Sequence, residues 1–156
     1  MFRNLTRKKQ QLSANECIEL LQNEKRGVLS VIGDDDYPYA LPINFYYSQA
    51  DNKIYFHSGK TGHKIDAITK HNKVSFCVYD KGYRKENHWS LNIKSVIVFG
   101  KITPVENWSR NMMIDFCKKF TDDMDYIKSE INQYAANTIV LELEIEHITG
   151  KIVNEA

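Results

Sequence analysis

Between Gly27 and Tyr47 the chain runs out through a β-rich segment, turns at Gly33-Asp34-Asp35-Asp36, and returns through a stretch dominated by aromatic and aliphatic residues. Two such runs around a turn predict a β-hairpin. The returning segment, Tyr37–Tyr47, contains Pro38 and Pro42. Proline has no N–H to give to a sheet ladder, so this strand must lie at an edge, be bulged, or open toward something other than a neighbouring strand.

The remaining punctuation fills in a sheet around that margin. Ser13-Ala14-Asn15-Glu16 has the form of a capping box and precedes Cys17, Leu20 and Leu21 at helical spacing, which predicts a first helix ending near Glu24. Asp51-Asn52 marks a turn, followed by a strand over Lys53–His57, a helix over Thr61–His71 with Thr61 as its cap, and a strand over Lys73–Tyr79. The polar stretch Asp80–Asn92, with Tyr83, Arg84 and Trp89, reads as a mobile or partner-facing loop. Ser95–Ile102 is an apolar strand, Glu106–Phe120 carries Met113, Phe116, Cys117 and Phe120 on one helical face, and Asp122–Gln133 is a weaker helix. In the last strand Ile139, Leu141, Leu143 and Ile145 alternate with Glu142, Glu144 and Glu146, so one face is buried and one is wet. No repeat or linker divides the 156 residues. The expectation is a single domain over 1–156, mainly β, built as a six-stranded antiparallel barrel with peripheral helices.

Charge and cysteine usage remove several function classes. A formal net charge of +1 argues against a nucleic-acid partner, because such domains carry a basic surplus. The three cysteines, Cys17, Cys77 and Cys117, are odd in number and far apart, fitting neither a disulfide framework nor a metal site and indicating a reducing compartment. Met1–Gln11 is basic without an apolar core of the signal-peptide kind, and no apolar run approaches the ~20 residues of a membrane span. A cytoplasmic protein with no membrane partner is expected.

The densest cluster of chemistry-bearing residues is His57-Ser58-Gly59-Lys60-Thr61-Gly62-His63-Lys64, where a strand ends and a helix begins. A helix N-terminus presents free N–H groups and a positive dipole end, and two glycines, two hydroxyls and two lysines make that end suited to a phosphate. The same residues also suit an ordinary polar strand-to-helix loop. Gly59-Lys60-Thr61 imitates the tail of a P-loop, but the glycine required five positions earlier is replaced by Ile54, so an ATPase is excluded. His57 ends an alternating strand beside this loop and serves either as a barrel histidine or as a reactive group. His63, His71, His88 and His147 form no metal pattern with a cysteine or carboxylate pair, and no Gly-x-Ser-x-Gly elbow exists. Zinc and serine-hydrolase chemistry drop out. The aromatic, proline-interrupted strand leaves backbone groups free for a planar, largely apolar ligand.

In order and spacing, Arg26-Gly27-Val28-Leu29-Ser30, Tyr37-Pro38-Tyr39-Ala40-Leu41-Pro42-Ile43-Asn44-Phe45, Ile54-Tyr55-Phe56-His57-Ser58, Gly62-His63-Lys64 and Ser95-Val96-Ile97-Val98-Phe99-Gly100 resemble the nitroimidazole-resistance branch of the pyridoxamine-phosphate-oxidase-like flavoproteins. The match runs from about Arg7 to Lys151 and includes Glu146–Lys151, like the family's closing strand. The resemblance implies an FMN-binding split barrel, with FAD as the alternative cofactor, assembled as a homodimer with its cofactor sites between subunits. By family position Ser58 and Lys64, helped by His63, would hold the phosphate, and the Leu41-Pro42-Ile43-Asn44 backbone would line the ring. His57 would lie close to the ring as the catalytic candidate for proton or electron transfer, and Ser95, Val96 and Ile97 would approach from across the dimer. The arginine and histidine set that grips pyridoxal phosphate in the parent oxidase is missing near the C-terminus, which argues against vitamin B6 oxidation.

The expected function is a flavin-dependent oxidoreductase that passes electrons to a small acceptor such as a nitro-aromatic compound or a quinone. With no Gly-x-Gly-x-x-Gly, any nicotinamide donor would visit transiently. The alternatives are a flavin-binding module without turnover, acting as redox sensor or reservoir, and a split barrel for another cofactor.

Overall fold

The computed structural model describes residues 1–156. Its strands are β1 (Arg26–Ile32), β2 (Pro38–Asn44), β3 (Tyr46–Ser48), β4 (Lys53–Gly59), β5 (Lys73–Tyr79), β6 (Leu91–Val105) and β7 (Thr138–Glu155). The helices are α1 (Ala14–Asn23), α2 (His63–Lys70), α3 (Arg110–Lys118) and α4 (Met124–Tyr134). All seven strands join one antiparallel sheet in the order β2-β1-β5-β6-β7-β4-β3.

Seven strands stand where six were expected, because the segment Tyr37–Tyr47 breaks at Phe45. β2 ladders onto β1, while β3 ladders onto β4 at the far margin of the sheet. One residue, fully buried Phe45, therefore connects the two margins, and the sheet has to curl into a split barrel for that connection to be made. Pro38 and Pro42 lie on β2, which pairs with β1 alone, so the prolines occupy an edge as their missing N–H demands.

The barrel interior is filled by alternating residues such as Leu29, Phe76, Val98 and Leu143, each fully buried, and α1 closes one side with Cys17, Leu20 and Leu21. The capping box forms as read: Ser13 N donates to Glu16 Oε2 at 2.9 Å and Glu16 N donates to Ser13 Oγ at 3.2 Å. β6 and β7 extend well beyond the predicted Ser95–Ile102 and Ile139–Ile145 and share a bulge at Phe99/Gly100. Gly100 sits so close to β7 that a Cβ there would run into the Glu144 carbonyl oxygen. The Asp80–Asn92 connection is held by its own bonds: Asp80 Oδ1 accepts from Gly82 N at 2.9 Å and Lys94 N at 3.0 Å, and Arg84 Nε donates to the Trp89 carbonyl.

The chain between β6 and β7 forms α3 and α4, whose N-caps are Ser109 and Asp123. They build a second, smaller core in which Phe116 packs with Tyr55 and Val140 against the outside of β4 and β7. No helix is long and apolar enough to cross a membrane.

Candidate functional site

β4 ends at Gly59 and α2 begins at His63, three residues apart from each other in sequence by Lys60, Thr61 and Gly62. Thr61 is not the cap that the sequence suggested. Gly62 takes that position, at φ 123°, a backbone conformation that a side chain would strain. With no side chain capping α2, the first-turn N–H groups have no protein acceptor and the positive end of the helix is open. A Cβ added at Gly59 or Gly62 would meet nothing within 4 Å, so space surrounds this turn.

Lys64, in the first turn of α2, is half-buried and forms no ion pair with any carboxylate. Burial alone pushes its amine below the usual lysine range. A half-buried cation at an uncapped helix start is an unsatisfied demand for an anion. His63 faces elsewhere: its ring stacks on Tyr39 at 4.2 Å between centroids, and its Nε2 lies 3.9 Å from Asp34 Oδ2 across the β1–β2 turn. Only the backbone of His63 remains with the α2 terminus.

Strand alternation sets His57 and Ser58 on opposite faces of β4. The His57 ring keeps exposed surface, and its side is packed against Phe116 of α3, with centroids 5.1 Å apart and planes at 71°. Loss of water on that side, and then the charge of Lys64, lower its pKa, so the imidazole is neutral at pH 7.

His57 also borders a cleft with Arg26, Pro42, Ile43 and Asn44, in which Arg26 Nε donates to Asn44 Oδ1 at 3.1 Å. The structure thus joins four of the expected residues, His57, Pro42, Ile43 and Asn44, in one hollow at the edge of β2. Leu41 and Ile43 turn their side chains to the barrel core. In the ladder phase set by the bonds from Phe45 N to the Lys25 carbonyl and from Gly33 N to the Tyr37 carbonyl, their backbone groups face β1. The open backbone of the edge therefore belongs to Pro42 and Asn44 and not to the whole expected Leu41–Asn44 run.

Ser95, Val96 and Ile97 are not in that hollow. Val96 is fully buried in the core, while Ser95 and Ile97 point to the outer face, where Ile97 is 36% exposed. Register carries Pro42 across to Val28, Cys77 and then Ile97, three inter-strand steps away. At ~4.8 Å per step the separation is roughly 14 Å. Around Ile97 the outer face also exposes Tyr79 and Phe99, the latter stacked by Phe2 at 5.6 Å between centroids.

Sequence reasoning missed two contributors to the site and one buried cation outside it. Arg26 opened one of the family-like segments but was given no role. The partners of Phe116 could not be read from its helical face, since they come from β4 and β7. Lys119, beside α3, shows only as one lysine among many, yet burial drives its pKa down to about 7.

Residues 13–152 match the family model described as pyridoxamine 5'-phosphate oxidase. No curated protein matches the sequence. Among solved structures, a candidate 5-nitroimidazole antibiotic resistance protein from Bacteroides thetaiotaomicron is similar with a TM-score of 0.76 at 19% identity, over 93% of this chain and 87% of that one. An FAD-binding protein from Mesorhizobium loti gives 0.66 at 23% identity, over 92% and 96%. An FAD and heme binding protein from Mycobacterium smegmatis gives 0.73 at 18% identity, over 92% and 73%. At these identities the likeness is one of fold.

Proposed function

From the chain's membership of the pyridoxamine 5'-phosphate oxidase family, we propose that it is a flavin-dependent oxidoreductase holding FMN, its phosphate at the α2 N-terminus and its ring against the edge of β2. The observation that carries this reading is Lys64, half-buried without a carboxylate partner at a helix start that no side chain caps. The residues fit the group. The first-turn N–H groups, Lys64 and the open turn around Gly59 and Gly62 suit a phosphate, and Ser58 is the last residue but one of the strand leading into it.

The β2 edge turns the backbone groups of Pro42 and Asn44 outward, away from β1, with Pro42 contributing an exposed apolar face. His57, neutral at pH 7, can accept a proton and return it at Nδ1 or Nε2 near the same hollow. Bound flavin would supply the electron chemistry, with a small nitro-aromatic compound or quinone as acceptor and a transiently bound nicotinamide as donor.

A homodimer completes the site in this proposal. Ser95 and Ile97 lie too far along the outer face to meet a ligand in their own chain's hollow, and a second copy seated on the exposed Ile97, Phe99 and Tyr79 would bring its own Ser95 and Ile97 near. FAD is the second reading, since two of the similar folds are described as binding it.

The visible spectrum of the purified protein, with the released cofactor identified by mass, tests the reading. A flavin spectrum with the mass of FMN is expected. A protein that neither carries nor takes up FMN or FAD would refute it, and flavin that never bleaches with nicotinamide or mediator would leave a binding module in place of the enzyme.

A further inference from the structure

Beneath α3 and α4 lies a partly open cavity of ≈ 160 Å³. Its walls are mainly apolar, with Trp108, Phe116, Ile131, Tyr134 and Val140 among them, and Glu130 is its one carboxylate. An apolar cavity of about 150 Å³ holds one benzene ring. His57 belongs both to this wall and to the hollow it shares with Pro42, Ile43 and Asn44, so one imidazole borders two compartments.

We propose that this cavity binds an uncharged, single-ring aromatic compound and so places it beside His57, next to the hollow at the β2 edge. The size admits one ring, and the apolar walls together with Glu130 disfavour an anionic ring. Edge-on aromatic packing already dominates here: Trp108 meets Phe116 at 5.9 Å and 75°. A ring inserted among Trp108, Phe116 and Tyr134 would extend that packing. That the ring is the electron acceptor rests on the flavin reading of the hollow; occupancy of the cavity does not.

The chain has two tryptophans, and Trp89 lies on the surface at 76% exposure. Trp89→Phe therefore assigns the Trp108 indole signal in a ¹H–¹⁵N spectrum of the full-length protein, recorded with and without added FMN. Toluene should shift the Trp108 signal saturably, and benzoate should bind about tenfold or more weakly, a difference of ~1.4 kcal/mol. Ala135→Leu and Cys117→Leu, each filling the cavity, should abolish the shift while leaving the circular dichroism unchanged. Met113→Ala, which enlarges it, should admit naphthalene.

An unsaturable toluene response, equal binding of benzoate, or an undiminished response in a well-folded filling variant would overturn the proposal. FMN titration of the same samples separates the two readings. Toluene binding without flavin uptake sinks the flavin site and keeps the cavity; flavin uptake without toluene binding does the reverse.

Discussion

The ammonium of Lys119 lies 3.6 Å from the ring centroid of Phe45, the residue that joins the two margins of the sheet. Its Nζ also donates to the Leu21 carbonyl at 3.1 Å, at the C-terminal end of α1 where a cation is favoured. Burial outweighs both contacts and lowers the folded pKa to about 7, against an ordinary lysine value in the unfolded chain. Below pH 7 both states carry the proton and the folded state bears the full cost of the buried charge. Between about pH 7 and the unfolded lysine value the unfolded chain holds more protons, so this residue makes stability rise with pH. Urea unfolding midpoints should increase from pH 6.5 to 9 in the wild type. Lys119→Met should flatten that rise, and an identical slope in the variant would clear Lys119 of the effect.

Lys64→Ala should weaken FMN retention. The loss of one charge-assisted phosphate contact is worth about 1.5–3 kcal/mol, or roughly tenfold to a hundredfold in Kd. Flavin content after gel filtration and a fluorescence titration measure it. Unchanged retention would return Lys64 to a structural role.

For His57 the expected imidazole titration midpoint, followed by NMR, lies below the ordinary histidine value, because burial and the Lys64 charge both oppose protonation. In Lys64→Ala the midpoint should move upward. His57→Ala should keep its flavin and reduce an added quinone more slowly; wild-type turnover there would rule out a catalytic role.

Ile97→Asp should turn the proposed dimer into a monomer in sedimentation velocity, since it places a charge in the middle of the exposed apolar face. Flavin affinity should fall along with it. A variant that stays dimeric would place the interface elsewhere.

Much of this was legible because it is local. The Ser13/Glu16 box, the edge position forced by Pro38 and Pro42, and the polar turn after His57 each follow from neighbouring residues. The break at Phe45 was not, since nothing in an unbroken apolar run says that β2 and β3 pair with strands at opposite margins. The long ends of β6 and β7 escaped for a related reason: residues such as Lys94 and Lys151 break the apolar pattern, and only cross-strand partners keep them in the ladder. The family resemblance made His63 a helper at the phosphate, but Tyr39, 24 positions earlier, gives its ring a partner on the other side.

The single-residue join at Phe45 also has a mechanical meaning. β2 and β3 are held to opposite ends of one hydrogen-bonded array, yet they are covalently continuous, so neither can peel outward without dragging the other. The seam works like a hinge pin whose head is the buried Phe45 ring, clamped edge-on by Phe76 at 5.0 Å. Any ligand that seats against β2 is thereby tied to the β3–β4 hairpin, and through β4 to His57.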